Sequence, residues 1–241
     1  MSRPFKFKQF TIQQEANAQK VGSDSMLLGA SITGNFNRIL DIGTGTGILA
    51  LMLAQKNPLA TVTAIEPDLA SLNEALLNFK ASQFASQILA VHARLQEFGA
   101  MEKFDLIITN PPYFENSFLS IDNDRNRARH TNDLAVHELY ECSSELLAEE
   151  GSLAIVIPAD EEYNHLQRAA HEGLFPAKIL RTIREDGTFK RSLITYTFND
   201  TIDPELSEII VKDANNKYSD AYIELTKDFY LKDLKKIQSN K

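Results

Sequence analysis

The stretch LDIGTGTGILA, residues 40–50, decides the fold class. It ends an apolar run and opens the helix-like sequence GILALMLAQKN at 47–57. Gly43, Gly45 and Gly47 stand at alternate positions, where the missing side chain permits a tight turn and the close approach of a ligand. The start of the helix would add free N–H groups at the same point. The stretch therefore predicts a strand, a ligand-binding turn and a helix, in that order.

Short β-rich runs alternate with helical stretches along the rest of the chain. Strands are predicted at 38–43, 60–66, 87–93, 104–110 and 152–158. A helix is predicted over 133–150 and ends before Gly151, a residue typical of the position just past a helix. Strands separated by helices indicate an α/β, Rossmann-like fold with a mostly parallel sheet and helices on both faces.

The last two apolar runs before residue 200 predict a hairpin. KILRTIRE at 178–185 and RSLITYTF at 191–198 are joined by a short stretch that contains Asp-Gly, a turn signal. We therefore expect a seven-stranded sheet with an antiparallel strand at one edge. Residues 200–241 are polar and end in a helix-like tail, for which packing on the same domain is expected.

Composition limits the class of protein. The chain has 241 residues, of which 43% are hydrophobic and 24% charged, as is ordinary for a soluble domain. No apolar run approaches the roughly 18 residues of a membrane span, and residues 1–10 lack the apolar core of a signal peptide. Cys142 is the single cysteine, so we expect a cytoplasmic protein without an internal disulfide. No membrane association, metal site or obligate protein partner is expected.

Basic residues are clustered in a chain that is acidic overall. The net charge of −8 argues weakly against a nucleic-acid partner, because phosphate contacts dominate such binding. Residues 3–8, 125–129 and 178–191 nevertheless each concentrate Lys and Arg. Such clusters are usually solvated surface, but an acidic body with local basic patches is also compatible with a small structured RNA.

The glycine spacing separates two classes of cofactor. A dinucleotide fingerprint, Gly-x-Gly-x-x-Gly, would need glycine where this chain has Ile48. The observed pattern is an acid followed by three alternating glycines, and it resembles motif I of the class I S-adenosylmethionine-dependent methyltransferases. The resemblance implies S-adenosylmethionine as cofactor, bound around Asp41, Gly43, Thr44, Gly45 and Gly47.

Further cofactor contacts are predicted at the ends of the next two strands. Glu66 ends the second strand, and a carboxylate there can accept hydrogen bonds from both hydroxyls of a ribose. Pro67 follows it, and Asp68 is as suited to cap a helix as to contact an adenine. After the third strand, methyltransferases often place an acid. This chain has Arg94 and Leu95 there, so their backbone groups are expected to replace that contact.

Asn110, Pro111, Pro112 and Tyr113 follow the fourth strand, at the sheet edge where α/β folds bind ligands. They resemble motif IV of amino-methyltransferases, which implies that they are catalytic and that Asn110 also borders the cofactor. An exocyclic amino nitrogen is a poor nucleophile because its lone pair is delocalised. Oxygens of the Asn110 side chain and the Pro111 backbone would accept its two hydrogens and localise the lone pair for attack on the methyl group. Tyr113 would stack on the base.

The flanking sequences narrow the substrate. FKFKQFTIQQEANAQKVGSDSMLLGA at 5–30 closely resembles the N-terminal signature of the bacterial tRNA1(Val) adenine N6-methyltransferases. The resemblance extends through NPPYFENS, RARHTNDLAVHEL, KRSLITYTF and YSDAYIELTKDFYL. It implies methylation of the unpaired adenine immediately 3′ of the anticodon of a valine tRNA. An unpaired base costs less to extrude than one in a duplex.

The same resemblance implies roles for the segments around the catalytic domain. Lys20 and Gly22 would border the methionine end of the cofactor. The expected RNA contacts are Arg3, Lys6, Lys8, Arg125, Arg127, Arg129, Lys190 and Arg191. The chain would then divide into an N-terminal extension over the cofactor and RNA site, a methyltransferase domain and a C-terminal extension, at 1–36, 37–200 and 201–241.

Two other functions are considered. Protein-glutamine N5-methyltransferases share both motifs, but they carry a substantial helical domain before motif I, and here only 40 residues precede Asp41. A non-catalytic, cofactor-binding RNA chaperone would be expected to show damage in motif IV. All four residues of that motif are intact.

Overall fold

Apolar residues on both faces of the central strands determine the architecture. The computed structural model describes residues 4–15, 21–111, 136–231 and 234. In the strand Arg38–Ile42, the successive residues Ile39 and Leu40 are both fully buried although they point to opposite faces. Such a strand must be covered on both sides, which is the arrangement of a parallel α/β sheet.

The strands within these ranges are short at the N-terminus and longer towards the C-terminus. They are β1 (Phe5–Lys6), β2 (Thr11–Ile12), β3 (Arg38–Ile42), β4 (Thr61–Glu66), β5 (Ile88–His92), β6 (Phe104–Thr109), β7 (Leu147–Pro158), β8 (Phe175–Ile183), β9 (Phe189–Thr197) and β10 (Glu205–Ile210). The first two form an antiparallel hairpin of their own, and the other eight form one sheet.

Helices precede, connect and follow the strands of the large sheet. They are α1 (Ser23–Ser31), α2 (Ile48–Lys56), α3 (Leu69–Lys80), α4 (136–146), α5 (Glu162–His171) and α6 (Asp220–Thr226). Single 3₁₀ turns occupy Ala85–Gln87, Leu95–Glu97 and Ala159–Glu161. In the part of the chain that the structure describes, no helix has the length and apolar character needed to cross a membrane.

The strand order confirms the predicted fold class and corrects two of its details. The order is β10-β8-β9-β7-β6-β3-β4-β5, and all neighbours are parallel except that β9 runs against both β7 and β8. The sheet therefore has eight strands rather than seven. The antiparallel strand is internal rather than at the edge, because β10 continues the sheet beyond β8. We did not predict β10 because Ile209 is its one buried residue, so it has little apolar pattern.

The prediction of a helix up to residue 150 was wrong. Helix α4 ends at residue 146, and Leu147 begins β7 by pairing with Phe104. Gly151 lies inside this strand, next to a shift in register between β6 and β7. A Cβ atom at Gly151 would lie 2.9 Å from the Phe104 carbonyl oxygen. The glycine thus marks an irregularity where two backbones approach closely, not the end of a helix.

Two hydrophobic clusters cover the two faces of the sheet. One contains Tyr140 of α4, Ala169 of α5 and Tyr196 of β9. The other joins α1 and α2 to both ends of the chain, since it includes Phe7 and Phe229. The N–H of Lys8 also donates to the Phe229 carbonyl at 2.8 Å. Both terminal segments therefore share a core with the sheet, while the division at 36/37 and 200/201 stays a prediction.

Close packing at Gly47 fixes α2 against α3. Gly47 has a φ of +84°, and a Cβ atom there would lie 2.3 Å from a ring carbon of the buried Phe79. Gly173 has a φ of +73°, but a Cβ atom there would meet no other atom. An alanine at Gly173 would therefore add backbone strain without a steric clash.

We expect Gly47→Ala to lower the free energy of unfolding by about 3 kcal/mol, since left-handed strain and overpacking add. Gly173→Ala should lower it by about 1 kcal/mol, from strain alone. Urea denaturation followed by circular dichroism measures both. Equal losses in the two variants would show that Phe79 moves aside and that the packing argument is wrong.

Candidate active site

The turn after β3 is held by the end of β4. Gly43, Gly45 and Gly47 all have positive φ, which is why the turn needs glycine at these positions. The N–H groups of Gly43 and Thr44 both donate to the Ile65 carbonyl at 3.0 Å, and that of Gly47 donates to the Thr44 carbonyl at 2.8 Å. These N–H groups are used by the fold, so this part of the turn acts as a shaped wall.

A buried carboxyl group lies beneath the turn. Asp41 Oδ2 accepts hydrogen bonds from Thr44 Oγ1 at 2.6 Å and from the N–H of Ala50 at 3.1 Å. Burial raises the pKa of Asp41 to about 7, against the effect of these two bonds, and the negative charge of Glu66 adds to the rise. Asp41 Oδ1 is buried without a hydrogen-bond partner. This oxygen therefore keeps unused acceptor capacity beneath the turn.

Glu66 lies at the end of β4 and joins the same turn. Its Oε2 accepts from the N–H of Gly45 at 2.9 Å, and its Oε1 accepts from the N–H of Asp68 at 3.1 Å. Each carboxylate oxygen has a second lone pair, so these bonds leave acceptor capacity for hydroxyl groups. Asp68 caps α3 by accepting from the N–H of Ser71 at 2.8 Å. Of the two roles considered for Asp68, the structure therefore shows the helix cap.

The next strand brings two further predicted cofactor residues to the same edge. β5 lies beside β4, with His92 opposite Glu66, and its chain continues into Arg94 and Leu95. Arg94 precedes the 3₁₀ turn and accepts the Glu97 N–H through its carbonyl at 3.1 Å. The Pro67 carbonyl is 2.9 Å from His92 Nε2. Thus the chain segments after β3, β4 and β5 lie in sequence along one edge.

Asn110 follows β6 and is held by α1. Its Nδ2 donates to Ser25 Oγ at 2.8 Å, and Ser25 is buried. Because the nitrogen is fixed by Ser25, the acceptor oxygen lies on the opposite side of the amide. Pro111 follows and is half-buried, whereas Pro112 and Tyr113 lie outside the described residues. Sequence reasoning missed Ser25, since a serine early in a helix has no motif of its own.

Asn110 lines two openings. A small cavity of about 40 Å³ lies against the glycine turn, and its lining includes Val21, Ser25 and Gly43. A cleft of about 640 Å³ lies on the other side, between the start of α1, the β8–β9 hairpin and the turn after β10. The cleft has the size of a ligand site. Gly22 lines the cleft rather than the cavity, and Lys20 lies outside the described residues.

The cleft is basic although the chain is acidic. Its lining contains four cationic side chains and one acidic one: Arg184, Lys190, Arg191, Lys212 and Asp24. Arg191 Nε donates to Asp24 Oδ2 at 2.8 Å, which ties β9 to the start of α1. An excess of positive charge in a protein of net charge −8 indicates an anionic ligand.

The predicted RNA contacts divide into three groups. Lys190 and Arg191 line the cleft. Lys6 and Lys8 are exposed near the β1–β2 hairpin and are not part of the cleft lining. The others lie outside the described residues: Arg3, Arg125, Arg127 and Arg129. Lys212 also lines the cleft but was not among the predicted contacts, because it is an isolated lysine in a polar segment.

Comparisons with solved structures agree with the fold. A protein of Agrobacterium tumefaciens described as a predicted O-methyltransferase has a TM-score of 0.68 at 17% identity, over 85% of this chain and 96% of that one. The precorrin-6y C5,15-methyltransferase of Geobacter metallireducens has a TM-score of 0.53 at 13% identity, over 79% and 94%. At these identities the likeness establishes the fold alone.

Sequence comparisons establish the family. Residues 17–176 match the family model described as Methyltransferase small domain. A tRNA1(Val) (adenine(37)-N6)-methyltransferase of Flavobacterium johnsoniae is 39% identical over 236 residues, which cover 95% of this chain and 99% of the relative. One of Bacteroides fragilis is 41% identical over 238 residues, which cover 96% and 100%. The resemblance seen in the sequence is thereby confirmed, and the chain belongs to the family of tRNA1(Val) (adenine(37)-N6)-methyltransferases.

Proposed function

We propose that this protein transfers a methyl group from S-adenosylmethionine to the N6 amino group of the adenine next to the anticodon in a valine tRNA. One observation carries the proposal: Asn110 lines both the cavity at the glycine turn and the large basic cleft. A residue in that position can contact a small reactive group on one side and a polyanionic substrate on the other. The names of the relatives, tRNA1(Val) (adenine(37)-N6)-methyltransferases, support the same substrate.

The residues at the sheet edge suit this cofactor. S-adenosylmethionine, when bound, supplies a methyl group activated by a positively charged sulfur. The spare lone pairs of the Glu66 carboxylate suit ribose hydroxyls. Gly43 has a φ of +66° and open space where a Cβ atom would stand, so a ligand can approach its backbone. The unpartnered Oδ1 of Asp41 suits a donor, directly or through water.

The remaining cofactor contacts extend this set. We assign the contact with the cofactor's adenine to the backbone groups of Arg94 and Leu95. Pro67 follows β4, and Lys20 and Gly22 precede α1; we assign the other contacts to these three residues. Thr44, Gly45, Gly47 and Asn110 complete the wall of the site.

The acceptor half of the reaction rests on two oxygens. Asn110 Oδ1 and the Pro111 carbonyl would accept the two hydrogens of the adenine amino group, so its lone pair localises on nitrogen. Ser25 holds the amide of Asn110 and so presets its orientation before substrate binds. Pro112 would stiffen the backbone, and Tyr113 would stack on the base. Positioning does the work, and proton removal can follow methyl transfer.

The tRNA would lie along the basic cleft. Lys190 and Arg191 would contact phosphates there. We further propose contacts from the flanking basic residues: Arg3, Lys6, Lys8, Arg125, Arg127 and Arg129. A tRNA substrate favours a cytoplasmic location for the protein. A glutamine side chain on a protein substrate would have no need of this positive charge, and the bond from Asn110 to Ser25 gives a non-catalytic chaperone no advantage.

Incubation with labelled S-adenosylmethionine and total tRNA from cells lacking the protein tests the proposal. We expect label in N6-methyladenosine, confined to a valine tRNA. The matched substrate is the same tRNA with guanosine at the target position, which should accept no label. Label in protein instead of RNA would contradict the proposal and support the glutamine alternative.

Asn110→Ala should lower kcat by roughly 100-fold or more with little change in cofactor affinity, since a preorganised acceptor is lost. Ser25→Ala removes the group that holds Asn110, so we expect a smaller fall in kcat, of roughly tenfold, at nearly constant KM. Ser31→Ala, at the other end of α1 and outside the linings of both the cleft and the cavity, serves as the control and should behave as the wild type. Steady-state kinetics with the tRNA measures all three. Near-normal turnover by Asn110→Ala would refute the acceptor model.

Cofactor affinity should rise with pH around the pKa of Asp41, which is about 7. Below that pH the protonated carboxyl group must lose its proton to meet a positive ligand, so affinity at pH 6 should be up to about tenfold weaker than at pH 8. Asp41→Asn cannot titrate and corrects for ionisation of the ligand itself. Calorimetry across this range, in buffers of different ionisation enthalpy, gives affinity and proton release. Identical pH profiles for both proteins would exclude Asp41 as the titrating group.

A further inference from the structure

A tightly built turn after β10 forms one wall of the basic cleft. Lys212 and Tyr218 face each other in an antiparallel bridge, and both line the cleft. Between them, Asp213 Oδ1 accepts the N–H groups of Asn215 at 3.0 Å and Lys217 at 2.8 Å. The Asp213 N–H also donates to the Lys217 carbonyl at 2.8 Å. Such a turn holds its side chains in fixed positions.

The ammonium group of Lys212 is held by neutral partners. Lys212 Nζ lies 3.0 Å from Asn216 Oδ1 and 5.1 Å from the centre of the Tyr218 ring. Asn216 has a φ of +59°, a left-handed conformation that asparagine tolerates. The Tyr218 ring stacks on that of the fully buried Tyr222, with centroids 4.8 Å apart and an interplanar angle of 12°. The lysine is thereby connected to the core of the protein.

This arrangement favours an anion in the cleft. A lysine side chain loses rotamer entropy when it is fixed. The contacts with Asn216 and Tyr218 meet part of that cost before any ligand binds. Neither partner carries a charge, so the ammonium keeps its full positive charge for the cleft. Arg184, Lys190 and Arg191 add to it from the facing β8–β9 hairpin.

We infer that Lys212 and the turn 211–219 form a phosphate-binding subsite, which holds the RNA backbone beside the target nucleotide. This inference rests on the proposed function for the nature of the substrate. It gives the segment after β10 a direct part in substrate binding, in addition to its packing in the core. A phosphate is the favoured group because the subsite offers a point charge without the paired donors that read base edges.

Lys212→Gln tests the subsite, with Lys217→Gln as the matched control. Lys217 belongs to the same turn, is exposed, and is not part of the cleft lining, so both variants lose the same charge from the same segment. The probe is a fluorescent RNA hairpin with the anticodon-loop sequence, and anisotropy is measured from 50 to 300 mM salt. We expect Lys212→Gln to raise Kd roughly three- to tenfold and to reduce the salt slope by about 0.7, the value for one contact to single-stranded RNA.

A second substitution separates charge from folding. Lys212→Arg keeps the charge and should retain most of the affinity, whereas Lys217→Gln should match the wild type. Equal Kd values and salt slopes for Lys212→Gln and Lys217→Gln would overturn the subsite. So would a failure of the wild type to bind the hairpin. Because binding is measured without methyl transfer, a protein that binds RNA through Lys212 but does not methylate it would refute the proposed function and leave the subsite standing.

Discussion

The end of β4 holds the turn that follows β3, and the rest of the site depends on this contact. The Ile65 carbonyl receives two N–H groups of the turn, and the Glu66 carboxylate receives a third from Gly45. Without them the three glycines would be free to adopt many conformations, since glycine loses more backbone entropy on ordering than any other residue. The buried Asp41 completes the arrangement from below by binding Thr44 and the first turn of α2.

β3 and β4 together form one rigid wall of the site, and the segment after β6 supplies Asn110, which faces that wall. Parallel strands end at the same edge, so a residue just after β6 comes close to the turn after β3 without any long excursion of the chain. Asn110 then needs a fixed orientation, which comes from Ser25 on α1. The salt bridge between Asp24 and Arg191 ties the same helix to β9. α1 therefore connects the small cavity with the cleft.

The motif residues were predictable from the sequence, and the contacts that orient them were not. Gly43, Gly45 and Asn110 carry local signals, because a backbone with positive φ selects glycine and two consecutive prolines end a strand. Ser25 acts through a partner distant in sequence, and Lys212 is a single lysine in a polar turn, so neither gives a recognisable pattern. In the fold, parallel strands with two buried faces were easy to recognise. β10 was not predicted because this exposed edge strand lacks the alternation of apolar and polar residues. The predicted helix end at Gly151 was wrong because glycine marks bulges as well as helix ends.

The core shared by the two ends of the chain has a consequence for synthesis. Phe7 is made early, but the cluster in which it packs is completed by Tyr222 and Phe229. At roughly 5–20 residues per second, more than 200 intervening residues take on the order of 10 to 40 s to translate. During that time Lys8 of the N-terminal segment lacks its Phe229 carbonyl partner, and the turn that carries Lys212 does not yet exist. The nascent chain therefore cannot assemble the complete cleft, and substrate binding has to await the last segment to leave the ribosome.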